Sequence, residues 1–534
     1  MVRVFAGISF AAFLSIAGFG RSVETPPVFD IADVHVSARS ANPNMTGGIL
    51  RAGRYELRKA TMVDLIRTAY DVDADSVIGG PSWLESDRFD VIARAQSTTS
   101  PDRLKLMLQA LLADRFKLVV HMDTKPIPAF VLSTGKGKPK LKESEGSGSA
   151  GCQAQPQKPE AGVPPYAVVS CHHMTMGAFA RELRQMAGAY VTNPVVNSTG
   201  LQGFWDFDIK WTPRGLLSQA GADGITISDA LDKQLGLKLE PQKTPGPVIV
   251  VDNVNQTPTP NPSGVATSLP PAPPPEFEVA DIKPSLPGAT PIGRIQNGRL
   301  DAQGLPLKNL IMIAWELNGD ELLAGAPKWL DSARFDIVAK ASTGGPGDQV
   351  DFDTLRLMVR ALLVDRFKLA THMEDRPVTA YTLTAVKPKL QKAAPENRTR
   401  CKEGPALGTK DARDANPILS RLVTCQNMTM AQFAEQLQGL APGYIHAPVL
   451  DGTGIDGAWD FTLNFSAVGL LQSGGIRPGD AGQSTGGAPA TSDPNGALSL
   501  FDAINKQLGL KLEAEKRPVP VLVIDHIEEK PTDN

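Results

Sequence analysis

PSWLESDRFDVIAR at residues 81–94 is answered by PKWLDSARFDIVAK at residues 327–340. ALLADRFKLVVH (110–121) returns as ALLVDRFKLATH (361–372), and LDKQLGLKLE (231–240) returns as INKQLGLKLE (504–513). The last two run on into VIVVDN and VLVIDH. Composition does not generate self-matches of this length, so the 534-residue chain is a tandem duplication of a unit spanning about half of it. The duplication also filters function: chemistry performed by both copies must use residues present in both.

Within a copy the hydrophobic period alternates. FDIADVHVS (29–37) and RFDVIARA (88–95) read as strands, whereas TMVDLIRTAY (61–70) puts Met62, Leu65, Ile66 and Ala69 on one helical face. Leu104, Met107, Leu108, Leu111 and Leu112 form the apolar face of a second helix, and PAFVLST (128–134) is the strand expected to close this half. The second half repeats the order with a helix over 174–186, strands within 193–211, a helix entering a strand over 227–240, and PVIVVDN (247–253) closing. The chain therefore reads as α+β, with two repeats of two small helix–strand–helix–strand–strand modules each.

The expected divisions are a leader at 1–20, a first repeat at 21–255 with halves near 26–140 and 166–255, and a second repeat at 276–534 with halves near 276–390 and 420–530. Between the repeats, the proline density of residues 256–275 predicts an extended spacer with no packed core. A Gly/Ser/Pro-rich insertion near 466–497 belongs to the second copy alone and reads as a surface loop.

A net charge of −3 without a basic block argues against nucleic acid. Arg3 followed by an apolar run reads as an export signal, either cleaved or kept as an anchor, and no later stretch is apolar enough to span a bilayer. The protein is expected to be extracytoplasmic, secreted or periplasmic. Four cysteines, two per copy, then read as intra-copy disulfides, Cys152 with Cys171 and Cys401 with Cys425. Each would contribute about 3 kcal/mol in the chain-entropy model. Zinc is the rival reading, but no C-x-x-C occurs and His172-His173 becomes Gln426-Asn427 in the second copy.

Taken together, FEVADIKPS, LIRTAY, GGPSWLESDRFDV, LMLQALLADRFKL, NMTMAQFAEQL, PVVNSTGLQGFWDF and KQLGLKLE resemble a secreted family of soil-associated, acidobacterial origin, a domain of unknown function present here twice. Related domains look to be attached to membrane sensor peptidases of the antibiotic-responsive type, which implies extracytoplasmic sensing. The order of elements in a half also resembles the short N-terminal modules of secretins and TonB-dependent receptors, which serve in docking.

Among the histidines only His121 and His372 are shared, and the sequence supplies neither with a positioned partner. Asp114-Arg115 and Asp365-Arg366 read as helix ends, and Asp90, Asp336, Asp206 and Asp460 as solvent-side strand residues. Trp83 and Trp329, each after a Gly/Ala-Pro turn, are either aromatic platforms or core plugs. No catalytic residue, metal or cofactor is expected. The favoured function is a non-enzymatic binding module for an envelope or extracellular protein, peptide or glycan, with Trp83, Trp329, His121 and His372 as its candidate surface. The alternatives are an envelope hydrolase and an ectodomain-like sensor.

Overall fold

The computed structural model describes residues 26–38, 44–145, 150–155, 166–272, 276–286, 292–296, 299–341, 352–395, 397–405, 409, 411–468, 470 and 496–532. The expected leader and nearly all of the expected insertion lie outside the described residues. The described chain is a strand-rich α+β structure in two similar copies.

In the first copy, β1 (Ile31–Val36), β2 (Thr46–Arg51), β3 (Arg54–Thr61) and β5 (Arg88–Arg94) make an antiparallel sheet, while β4 (Val77–Gly79) joins a different one. Helix α1 (Met62–Tyr70) begins where Thr61 and Asp64 cap each other's backbone N–H, both at 3.1 Å. It buries the apolar stripe that its spacing predicts. Helix α2 (Pro101–Arg115) starts on a Ser100 cap with proline first, and leads into β6 (Val119–Thr134). In the second half, β7 (Lys142–Glu143), β8 (Gly151–Gln155), β9 (Ala167–Met174) and β11 (Trp205–Trp211) form another sheet, covered by α3 (Met176–Met186), and β10 (Val195–Asn197) lies outside it. One edge-to-face phenylalanine pair sits in each half: Phe89 with Phe116 and Phe179 with Phe207, then Phe335 with Phe367 and Phe433 with Phe461 in the second copy, at 4.8–5.0 Å.

The halves are not closed by their own last strands. β6 and β12 (Leu237–Asn253) pair antiparallel from Leu237 opposite Thr134 to Val251 opposite Val120. Leu132, late in β6, is buried in the second half's core, and Ile249 and Val251, late in β12, are buried in the first half's core. Short parallel strands flank the two ends, β4 on β12 and β10 on β6. Ala370–Ala385 and Leu510–His526 cross in the same way in the second copy.

The prolines explain why two continuous strands read as four pieces. Phe130 N–H donates out of the ladder to the Pro194 carbonyl at 2.8 Å, so every second residue of β6, with its opposite number, points its N–H outward. Pro126, Pro128, Pro241, Pro245 and Pro247 all occupy that set, and Pro126 faces Pro245. A missing donor costs the ladder nothing there. Among the described residues no third strand joins the ribbon midway between β4 and β10, and proline there leaves no donor for a foreign strand to bond. Pro377 opposite Pro518 repeats the arrangement in the second copy.

Amides close other edges. Gln234, in a single π-helical turn, accepts from Lys210 N–H at 2.9 Å and donates to the Lys210 carbonyl at 2.6 Å, and Gln507 treats Asn464 alike. The inter-repeat segment also departs from its reading as a spacer with no packed core. Asn261 accepts from Val34 N–H at 3.0 Å and donates to the Val34 carbonyl at 3.2 Å, imitating a neighbouring strand along β1. Arg115, nearly fully buried, donates to the Thr259 carbonyl at 2.6 Å, and Val265 is buried. The segment packs because Arg115 and an unpaired strand edge offer it polar partners. Both cysteine pairs sit directly opposite each other on adjacent strands with sulfurs 2.01 and 2.00 Å apart. No helix among the described residues is long and apolar enough to cross a membrane.

Replacing Pro126 and Pro245 together by threonine should preserve the fold while restoring two outward donors on an uncovered ribbon. Light scattering after gel filtration is expected to show concentration-dependent self-association absent from the wild type; a variant that stays as monodisperse as the wild type removes the edge-guarding role.

Candidate functional site

The Gly-Gly-Pro-Ser-Trp turn of the first copy is built by backbone necessity. Gly79 and Gly80 have φ of 69° and 72°, and a Cβ on Gly80 would strike Leu84 and Val251. The following turn, Ser82–Glu85, drops Leu84 into the core and lays Trp83 against Phe89 at 6.2 Å, edge to face. Trp83 and Trp329 are both half-buried against their cores, so the indoles chiefly plug, and the first copy's turn presents its carbonyls and acids on the other side.

Those groups hold the second copy. Thr399 N–H donates to the Ser82 carbonyl at 3.1 Å, and Arg398 donates to the Gly79 carbonyl at 2.9 Å and to Glu85 at 3.1 Å. Arg400 reaches Glu85 at 3.3 Å, and Lys402 reaches Asp75 at 2.6 Å. Alternation along the strand Arg400–Glu403 sends Arg400 and Lys402 to the face opposite Cys401, whose disulfide fixes that strand to its neighbour. Burial works to raise the Asp75 carboxyl, but Lys402, then Arg400 and Arg184, outweigh it and bring it below its ordinary value. Two more cross-copy ion pairs flank the contact: Arg214 with Asp411 at 3.1 Å and Lys59 with Asp353 at 2.8 Å. The copies touch, which sequence alone leaves open.

Each shared histidine has an acid partner that sequence reasoning missed. His121 Nδ1 lies 2.8 Å from Asp252, and His372 Nδ1 lies 2.9 Å from Asp525. Each aspartate is the extra residue of a bulge, where Asn253 pairs Val119 and His526 pairs Ala370. The one available signal was the aspartate shared by VIVVDN and VLVIDH. Both pairs are about half exposed on open ladder. Neither the cavity of about 210 Å³ between the β2–β3 hairpin and the helix Phe352–Phe367 nor that of about 480 Å³ beside Cys152, Tyr166 and Trp211 is lined by either histidine.

The four strand acids are not the plain solvent-side residues expected. Asp90 accepts from Lys59 N–H, Asp336 from Gly304, Asp206 from His173 and Asp460 from Asn427, all at 2.7–2.9 Å. Every donor is a bulge residue with positive φ, so these carboxylates hold left-handed backbone in place.

The model of a family described as "Protein of unknown function (DUF3738)" matches residues 63–254 and again 308–527. The chain belongs to this family. No curated protein and no solved structure matches it.

The two DUF3738 copies have diverged at the contact. Copy 1 carries Gly151 and Gln153 where copy 2 has Arg400 and Lys402 around the matching cysteine. The acid matching Asp75 is Glu321, and its partner is local: His446 Nδ1 lies 2.6 Å away. The Glu321 hydrogen bond lifts His446 above its ordinary 6.5, and the same bond lowers Glu321. With a raised folded value, the pair's contribution is complete below the unfolded value of 6.5 and is lost as pH climbs through the raised one; on the acid side it is lost as Glu321 protonates. Melting temperatures of wild type and His446→Gln should therefore differ most near pH 6 and converge toward about pH 9. A gap constant over that range would contradict the pairing.

Proposed function

We propose that this DUF3738 protein is an extracytoplasmic interaction protein whose repeats dock extended segments on their Gly/Ala-Pro-x-Trp turns. One observation carries the reading: in the first copy that turn, with Asp75 and Glu85, is already a protein-binding surface, gripping the strand around Arg398–Lys402. The disulfides support an oxidising compartment, in keeping with the leader-like start of the sequence and the resemblance to secreted soil-bacterial proteins. Sensing by a domain of this kind would use the same docking. An independently swinging pair of repeats, useful for avidity, is disfavoured by the cross-copy ion pairs and the packed inter-repeat segment.

The hydrolase alternative draws on the duplicated His121–Asp252 and His372–Asp525 pairs. Their exposure on a flat ladder, away from both cavities, favours a surface role for them. Affinity purification from envelope extract with wild type and His121→Ala/His372→Ala separates the two readings. The docking reading expects one stoichiometric protein partner recovered equally by both. Failure to recover a partner, together with cleavage of envelope peptides or glycans that the double change abolishes, would overturn it.

A further inference from the structure

The internal contact between the copies is heterologous: the strand belongs to copy 2 and the turn to copy 1, and among the described residues the contact is not made in reverse. That leaves the matching turn of copy 2 without a strand from copy 1, whose Gly151 and Gln153 carry no charge. The geometry points to Gly325–Asp331 and Glu321 as a second docking site, one that takes a basic extended segment of another protein with the alternating spacing of Arg398, Arg400 and Lys402. This rests on the docking function proposed above and adds the chemistry of the partner.

The turn matches at its first glycine and in the helical turn that follows, whereas Ala326 does not share the left-handed backbone of Gly80, whose φ is 72°. Gly325 has φ of 70° against 69° for Gly79. Leu330 N–H donates to the Pro327 carbonyl at 3.1 Å and Ser332 N–H to the Trp329 carbonyl at 3.1 Å, as Leu84 and Ser86 do to Pro81 and Trp83. Gly325, Ala326 and Lys328 are exposed, and Asp331 stands where Glu85 stands in copy 1. In sequence, Gly325 and Lys328 correspond to Gly79 and Ser82, whose carbonyls in copy 1 accept from Arg398 and Thr399.

What differs is a set of local cations. Lys308 bridges Asp320 and Asp331, both at 2.9 Å, and His446 holds Glu321. Copy 1 has Val63 and Thr192 at the positions of Lys308 and His446, and Ser82 at the position of Lys328. Lys308 and His446 act as placeholders that neutralise Asp320, Asp331 and Glu321. A partner exchanges its own cations for them and adds the backbone hydrogen bond that a lysine tip cannot supply. The exchange makes the site weaker than its copy 1 counterpart, which suits a reversible external ligand.

A fluorescent peptide of residues 397–404 carrying Cys401→Ser serves as the probe, titrated by anisotropy against the full chain at low salt. Saturable one-to-one binding is expected, and it should weaken as salt rises. Restoring copy 1's residues with Lys308→Val, Lys328→Ser and His446→Thr should tighten binding by roughly tenfold, since local competitors are removed. Asp331→Lys with Glu321→Lys should abolish it. Absence of saturable binding in both the wild type and the triple variant would overturn the proposal. So would binding that survives the Asp331→Lys/Glu321→Lys change and is lost in Glu85→Lys, because the peptide would then be displacing the internal strand from copy 1. A recovered envelope partner alongside a silent peptide would leave the docking function standing and remove only this assignment.

Discussion

In each copy the two central strands belong to both halves at once. β6 leaves the first core and ends in the second, and β12 makes the opposite journey. Neither half therefore owns a complete set of strands. Leu132 completes the second core, Ile249 and Val251 the first, and withdrawing one strand would strip apolar surface from both. The crossing carries a cost, since a two-stranded ribbon between the halves has two bare edges. Five prolines, all at outward positions, meet that cost without removing one ladder hydrogen bond. Gln234, Gln507 and Asn261 do similar work at sheet edges elsewhere, each amide supplying the donor and acceptor of an absent strand.

Closed edges change where binding is expected. Strand addition to an open sheet edge is the ready expectation for a small α+β module, yet here many edges are guarded. The turn after β4 is different. Its glycines force carbonyls outward, Trp83 and Leu84 anchor it from below, and Asp75 and Glu85 set a negative rim. The duplicated unit has used that surface on itself. Copy 2 carries arginine and lysine on an edge strand fixed by Cys401–Cys425, while copy 1 has neutral residues at the matching places. Divergence of this kind turns two equal repeats into an ordered pair.

Much of this was legible in the chain. The duplication, the amphipathic helices and the cysteine pairs follow from self-matching and period, and all three are where the reading put them. The crossing was not legible, because Pro126 and Pro245 look like strand ends until the direction of their missing N–H is known. The β2–β3 hairpin also escaped, its Gly47, Gly48 and Gly53 masking the alternation. Trp83 and Trp329, read as either platforms or core plugs, lie against their cores, and the cross-copy contact at the first turn is made by carbonyls and carboxylates. His121 and His372 looked partnerless only because Asp252 and Asp525 lie far along the chain.

Both cores of a copy depend on the crossing of β6 and β12. Pro128 lies directly opposite Lys243, so Pro128→Cys with Lys243→Cys places two thiols face to face across the ribbon. Oxidation in air followed by peptide mass spectrometry should find an intramolecular bond between positions 128 and 243, with Cys152–Cys171 and Cys401–Cys425 intact. Thiols that stay free, or that join only between molecules, would mean that each half keeps its own closing strand.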